Sequence, residues 1–268
     1  MSRRETIDSI DLTEAREHTV KLILDTGEVL KEYFASKRFS VEGEAEKVVT
    51  EVDSKTEIMI KESLLRKYPQ TTFLGEETTP ESYPEWKSKK DLWVIDPIDG
   101  TINFSRGNPH FAISVALITE GKPVLGIIHL PILGKTFWAQ ADVVGAFCNG
   151  KLVEVSKTSD LTHAVLDLDA TWEGREKLLG VMQKLSFVGR LHVVGSAVTA
   201  LSYTASGVND AYLHYTLRPW DVAAAGIIVR HVGGIVTTAD GEDWNVFEPT
   251  ILASNLQLHP KILAYIRT

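Results

Sequence analysis

Apolar positions Ala15, Val20, Ile23, Leu24, Leu30, Tyr33 and Phe34 recur close to helical spacing, so the chain opens with a long amphipathic helix over 13–35. Residues 54–68 repeat the pattern through Ile58, Leu64, Leu65 and Tyr68. "TTFLGEE" then reads as a short strand that breaks at Gly75. From Leu92 to Gly150 the period shortens to that of strands: "LWVID", "FAISVALIT", "PVLGIIHL" and "KTFWAQA". Asn149-Gly150 is the strongest hairpin signal in the chain, because both residues tolerate the left-handed backbone of a tight turn.

Near residue 157 the style changes to alternating strands and helices. "AVLDLD" leads to a helix near 173–185, "FVGRLHVVG" to one near 196–206, "DAYLHY" to one near 220–232, and "TILASN" to a short last helix. The fold class is therefore α+β with an α/β part: an antiparallel-rich lobe over roughly 1–156 and an α/β lobe over roughly 157–268. At 268 residues the two lobes are expected to form one compact unit with a continuous interior. Sheet order does not follow from the pattern.

Composition narrows the function. The net charge of −8 argues against a surface that grips nucleic acid, and a protein this acidic that handles phosphate esters needs local positive charge, such as bound cations. The lone cysteine, Cys148, makes no internal disulfide and reads as a small packed side chain. No apolar run approaches the ~20 residues of a membrane span, and the N-terminal stretch lacks the apolar core of a signal peptide. A cytoplasmic protein is expected.

The candidate chemistry is acidic. Taken alone, Glu76 in "GEE" reads as part of a solvated turn, "DPIDG" at 96–100 as linked turns, and Asp221 as a favourable charge in the first turn of a helix. Taken together, Glu76, Asp96, Asp99 and Asp221 each fall at the end of an element. Gathered at one sheet edge they would repel, each pair by about 4 kcal/mol at ~4 Å and an effective dielectric of about 20. Cations between them would relieve that cost. An all-oxygen donor set without His or Cys suits a hard ion such as Mg²⁺, which keeps positions open for water and phosphate oxygens. Pro97 and Ile98 are expected to hold Asp96 and Asp99 in one turn. Gly100 and the N–H groups of Gly100 and Thr101 offer a place for a phosphate, and the Thr101 hydroxyl a partner for an attacking water.

These residues resemble the inositol monophosphatase family of metal-dependent, lithium-sensitive phosphatases. "GEE" (75–77), "WVIDPIDGTINF" (93–104) and "WDVAAAGIIVRHVGG" (220–234) stand in family order, and "VTEVD" (49–53), "GAFCNG" (145–150) and "GSA" (195–197) extend the likeness. The resemblance implies a layered αβαβα fold and a homodimer. It implies that Glu76, Asp96 and the Ile98 carbonyl hold one Mg²⁺, that Asp96, Asp99 and Asp221 hold a second, and that a third, looser ion joins through Glu76. It further implies that Glu76, Thr101 and Asp53 activate the attacking water. Gly100 and Thr101 would contact phosphate, with Asp99, Ser196, Ala197 and Asp221 round the substrate.

Three positions depart from the family pattern. His214 stands where members tuned to inositol carry a glutamate; it is either a substrate contact or an exposed strand-end histidine. His192, with Arg190 two positions earlier, replaces a common arginine, and Lys47 replaces a common aspartate. The expected activity is hydrolysis of inositol 1-phosphate or another small polyol phosphate. Fructose 1,6-bisphosphate and the 2′-phosphate of NADP are the alternative substrates. A regulatory protein that binds partners without catalysis is the alternative of a different class.

Overall fold

The computed structural model describes residues 10–36, 41–42, 49–79 and 84–267. Lys47 lies outside them. The first part of the chain forms α1 (Leu12–Ser36), the short pair β1 (Val41–Glu42) and β2 (Val49–Thr50), then α2 (Glu51–Lys67), β3 (Thr72–Gly75), β4 (Asp91–Asp99) and α3 (Thr101–Arg106). Five strands follow: β5 (Ala112–Thr119), β6 (Lys122–Leu130), β7 (Lys135–Gln140), β8 (Ala146–Cys148) and β9 (Lys151–Val153). The second part contains β10 (Val165–Ala170), α4 (Arg175–Lys184), β11 (Arg190–His192), α5 (Ala197–Ala205) and β12 (Ala211–Tyr215). It ends with α6 (Pro219–His231), β13 (Ile235–Thr237), β14 (Thr250–Ser254) and α7 (His259–Ile266).

A seven-stranded sheet runs β3-β4-β5-β6-β7-β8-β9, antiparallel except for the β3–β4 pair. Asn149 and Gly150 both have positive φ and join β8 to β9, as the turn signal predicts. The second sheet runs β11-β10-β12-β14-β13, parallel through β11, β10 and β12 and antiparallel beyond. Helices α1 and α2 cover one face of the first sheet, α5 and α6 fill the space between the sheets, and α4 and α7 cover the far face of the second. That is the αβαβα layering implied by the resemblance.

Three corrections follow from packing. Leu24 and Ile58 are 40% and 47% exposed, so neither belongs to a buried helix face. The buried stripe of α2 is Val52, Asp53, Thr56, Glu57, Ile60 and Leu64, half of it polar because its first turn abuts the acidic recess described below. "FVGRLHVVG" yields only the three residues of β11, and β13 is an additional strand.

Candidate active site

Strand alternation and one irregularity aim the carboxylates. Leu92 and Val94 of β4 face the core between the sheets, while Trp93 and Ile95 face α1 and α2. Two residues three apart on a regular strand would point to opposite faces. Between Asp96, paired with Ser114, and Asp99, paired with Ala112, β4 carries one extra residue. This β-bulge puts both aspartates on the inner face and tolerates Pro97, which has no N–H to give the ladder. The expected turn holding Asp96 and Asp99 is thus a bulge within the strand. Beyond it Gly100 turns the chain into α3 with φ of +92°, where an added Cβ would lie 3.0 Å from the His110 carbonyl oxygen and from Ser196 Cβ.

The parallel register of β3 on β4 pairs Gly75 with Ile95, so Glu76 follows beside Asp96. Asp221 arrives from the first turn of α6, where its Oδ2 accepts the Arg218 N–H at 2.7 Å. Asp53 comes from the first turn of α2. Ser196 is the N-cap of α5, its Oγ accepting the Thr199 N–H at 3.2 Å and donating to Asp99 Oδ2.

Carboxylate oxygens of Asp96, Asp99 and Asp221 lie within 4.8 Å of one another. Glu76 stands outside that close group, exposed at the rim. Asp96 is 1% exposed and its Oδ1 has no hydrogen-bond partner among the described residues. Burial, followed by the charges of Glu76, Asp99 and Asp221, raises its carboxyl well above the usual range. Burial also lifts Asp99 to about 6, opposed by Ser196 and by backbone N–H groups of α5, including Val198 at 2.9 Å. Asp221 is lifted to about 7 by burial and by Asp99. Surrounding protein, then the charges of Asp53 and Asp221, raises the Glu76 carboxyl as well.

Thr101 Oγ1 lies 3.2 Å from Asp53 Oδ2 and 3.0 Å from the Ile98 carbonyl oxygen and donates to these acceptors. Asp53 is buried, and its carboxyl is raised by burial and then by Glu77. Ala197 is buried beside Ser196. His214 is 6% exposed, which removes the exposed strand-end reading, and burial lowers its imidazole to about 4, leaving it neutral near pH 7. Its register partner on β10 is Asp169, and Asp167 pairs with Tyr212. Leu166 and Leu168 face the outer core, so both aspartates share the inner face with Tyr212 and His214. Arg190 and His192 are exposed on β11.

Sequence reasoning assigned no role to Asn103, Asp169 or Glu57. The Asn103 side-chain amide lies 2.7 Å from the His110 carbonyl oxygen, 2.9 Å from that of Val194 and 3.2 Å from that of Gly195, and it ties the Gly100–Thr101 turn to the start of α5. Glu57 carried a signal: it lies four residues after Asp53 on the same helical face.

Among the described residues no helix is long and apolar enough to cross a membrane. The profile of the inositol monophosphatase family matches residues 11–268. The "Fructose-1,6-bisphosphatase/inositol-1-monophosphatase" of Thermotoga maritima is 33% identical over 219 residues, 82% of each chain. Human "Inositol monophosphatase 1" is 32% identical over 249 residues, 90% of each chain. The crystal structure of the extragenic suppressor protein suhB from Bartonella henselae superposes with a TM-score of 0.86 at 29% identity, covering 95% of this chain and 99% of that one. With the fold, the acidic recess and the matched length in agreement, the chain belongs to the inositol monophosphatase family and is a hydrolase of phosphate monoesters.

Proposed function

We propose that the chain hydrolyses inositol 1-phosphate or a related small polyol monophosphate at this recess, with Mg²⁺ as its metal. The carrying observation is the convergence of Asp96, Asp99 and Asp221 within 4.8 Å. The donor set fits a hard cation, since it is all oxygen and includes the buried Asp96 Oδ1, which lacks a hydrogen-bond partner among the described residues. Asp96, Asp99, Asp221, Glu76 and the Ile98 carbonyl would hold two ions, with a third, looser one through Glu76. Bound there, the ions neutralise phosphate charge and lower the pKa of water.

The chain's own groups supply the rest. A Thr101 hydroxyl that donates to Asp53 keeps its lone pairs free to accept a hydrogen bond from the attacking water. Glu76, with its raised carboxyl, is a second acceptor for that proton. Gly100 leaves room for phosphate, and Ser196 with Ala197 borders the alcohol side. A water beside Asp221 would give the leaving oxygen its proton.

The polyol preference rests on Asp169 and His214, a carboxylate beside a neutral imidazole on adjacent strands, which suits neighbouring hydroxyls. Arg175 and Arg218 lie within electrostatic reach of Asp169 and Asp221 and favour a second reading, a fructose bisphosphate or NADP carrying further phosphate. The likeness to known members supports a two-lobed unit acting as a homodimer. Exposed Ile102 and Val193, each next in sequence to a partner of the Asn103–Val194 hydrogen bond, supply apolar surface for it. A single half-buried cysteine supports a cytoplasmic setting.

Phosphate release from inositol 1-phosphate, fructose 1,6-bisphosphate and NADP, with and without Mg²⁺, tests the reading. Inositol 1-phosphate should lead, and only with metal. If NADP or the bisphosphate is turned over far faster, the polyol assignment fails. Should Asp96→Asn and Asp221→Asn proteins keep the biological role without releasing phosphate, the regulatory alternative replaces catalysis.

A further inference from the structure

We infer that Glu57 is a positioning residue: its buried carboxylate accepts the Glu77 N–H and thereby fixes the turn that presents Glu76 to the acidic recess. Glu57 lies on α2 one turn after Asp53 and is 0% exposed. Its Oε2 accepts the Glu77 N–H at 2.8 Å across 20 positions of sequence. Its Oε1 is buried with no hydrogen-bond partner among the described residues.

A buried carboxylate with so few donors is costly, and an apolar side chain among Val52, Ile60 and Leu64 would avoid that cost. What an apolar side chain would forfeit is the acceptor for Glu77. The end of β3 is built round this acceptor. A Cβ on Gly75 would fall 2.4 Å from Glu57 Oε2 and 2.5 Å from Glu57 Cδ, so glycine leaves the space that the carboxylate occupies. Two further hydrogen bonds close the same turn: Ser54 Oγ donates to Glu77 Oε2 at 2.9 Å, and the Gly75 N–H donates to Thr79 Oγ1 at 3.1 Å. Glu76 therefore sits between two residues pinned from below, and its side chain is left to face the recess beside Asp96.

The inference rests on the metal-dependent reading of the site, and the test separates the two. Apo protein is titrated with Mg²⁺ by calorimetry, and kcat and KM are measured on inositol 1-phosphate, for the parent and for Glu57→Ala, Glu57→Gln and Gly75→Ala. Glu57→Ala should weaken Mg²⁺ uptake by roughly tenfold or more, the range for residues that orient metal ligands, and lower kcat with little change in KM. Glu57→Gln keeps an oxygen that accepts the Glu77 N–H and should recover most of both. Gly75→Ala, whose Cβ would press on the unaltered carboxylate and also lie 2.6 Å from Phe73 Cε1, should reproduce the loss even where Glu57→Ala does not fold. Mg²⁺ uptake within twofold of the parent in Gly75→Ala, or a Glu57→Gln protein as impaired as Glu57→Ala, overturns the inference and leaves the metal site standing. A parent that takes up no Mg²⁺ overturns the metal reading itself.

Discussion

Ser196 donates its hydroxyl hydrogen to the Asp99 carboxylate across 97 positions of sequence, joining the N-cap of α5 to the last residue of β4. One hydroxyl thus caps a helix of the second part of the chain and steadies a carboxylate of the first. Ser196→Ala removes both contacts and leaves the Val198 N–H on Asp99. Loss of the cap and of a buried hydrogen bond should cost about 1–2 kcal/mol, read from denaturant midpoints. Mg²⁺ uptake should weaken at the same time. Unchanged stability would mean that the Ser196–Asp99 contact contributes nothing to the fold.

The carboxyls of Asp99 and Asp221 are lifted from an ordinary value of 3.8 to about 6 and about 7. The metal-free fold binds their protons more tightly than the unfolded chain does. Their contribution to stability is complete below the unfolded value and is lost as pH rises through 6 to 7. Metal competes with the same protons, so uptake should strengthen over that window and release protons. The rise in melting temperature on adding Mg²⁺ should be larger at pH 8 than at pH 5. Calorimetry at pH 6 in buffers of different ionisation enthalpy should detect the released protons. Equal melting shifts at the two pH values would show that these carboxyls do not carry the binding.

Much of this arrangement is legible in the chain, and the gaps have physical causes. The Asn149-Gly150 hairpin and helices α1, α5 and α6 follow from local turn chemistry and periodicity. The order of the two sheets depends on pairings between distant residues, which no local pattern encodes. The acidic clusters stand out because each lies at an element end. The bulge that turns Asp96 and Asp99 to one face is invisible in "DPIDG", where the same letters spell a turn. Ile58 misleads because the buried face of α2 is chosen by the recess it borders, so Asp53, Thr56 and Glu57 go inside in its place. His214 misleads likewise, since a polar residue near a strand end reads as solvated until the layer above it is known.

The Thr101 hydroxyl reaches both Asp53 and the Ile98 carbonyl oxygen. Thr101→Val keeps the shape and removes every proton contact, so kcat should fall by about 10²-fold or more, the usual contribution of a positioned proton acceptor or donor. KM and the melting temperature should change little. Thr101→Ser restores the hydroxyl and should recover most of the rate. A valine variant within a few fold of the parent kcat would remove Thr101 from the chemistry.

Helix α6 carries Asp221 in its first turn and crosses β6 where that strand has Gly126. A Cβ on Gly126 would lie 2.5 Å from the Ala224 carbonyl oxygen and 2.5 Å from Ile227 Cγ2. Both contacts are closer than real carbon atoms approach, and one is to helix backbone, which cannot rotate away. In Gly126→Ala the helix must draw back from the sheet, at a cost of about 1–3 kcal/mol for overpacking. Ala224 is three residues from Asp221, so the displacement should also part that carboxylate from Asp96 and Asp99. Weaker Mg²⁺ uptake should therefore accompany the loss of stability. Gly180→Ala is the control: the residue is exposed on α4, nothing lies within 4 Å of its added Cβ, and helix propensity favours alanine by up to about 1 kcal/mol. That control should raise the melting temperature and leave metal uptake unchanged. A Gly126→Ala protein as stable as the parent would show that the close approach of α6 to β6 does not set the position of Asp221.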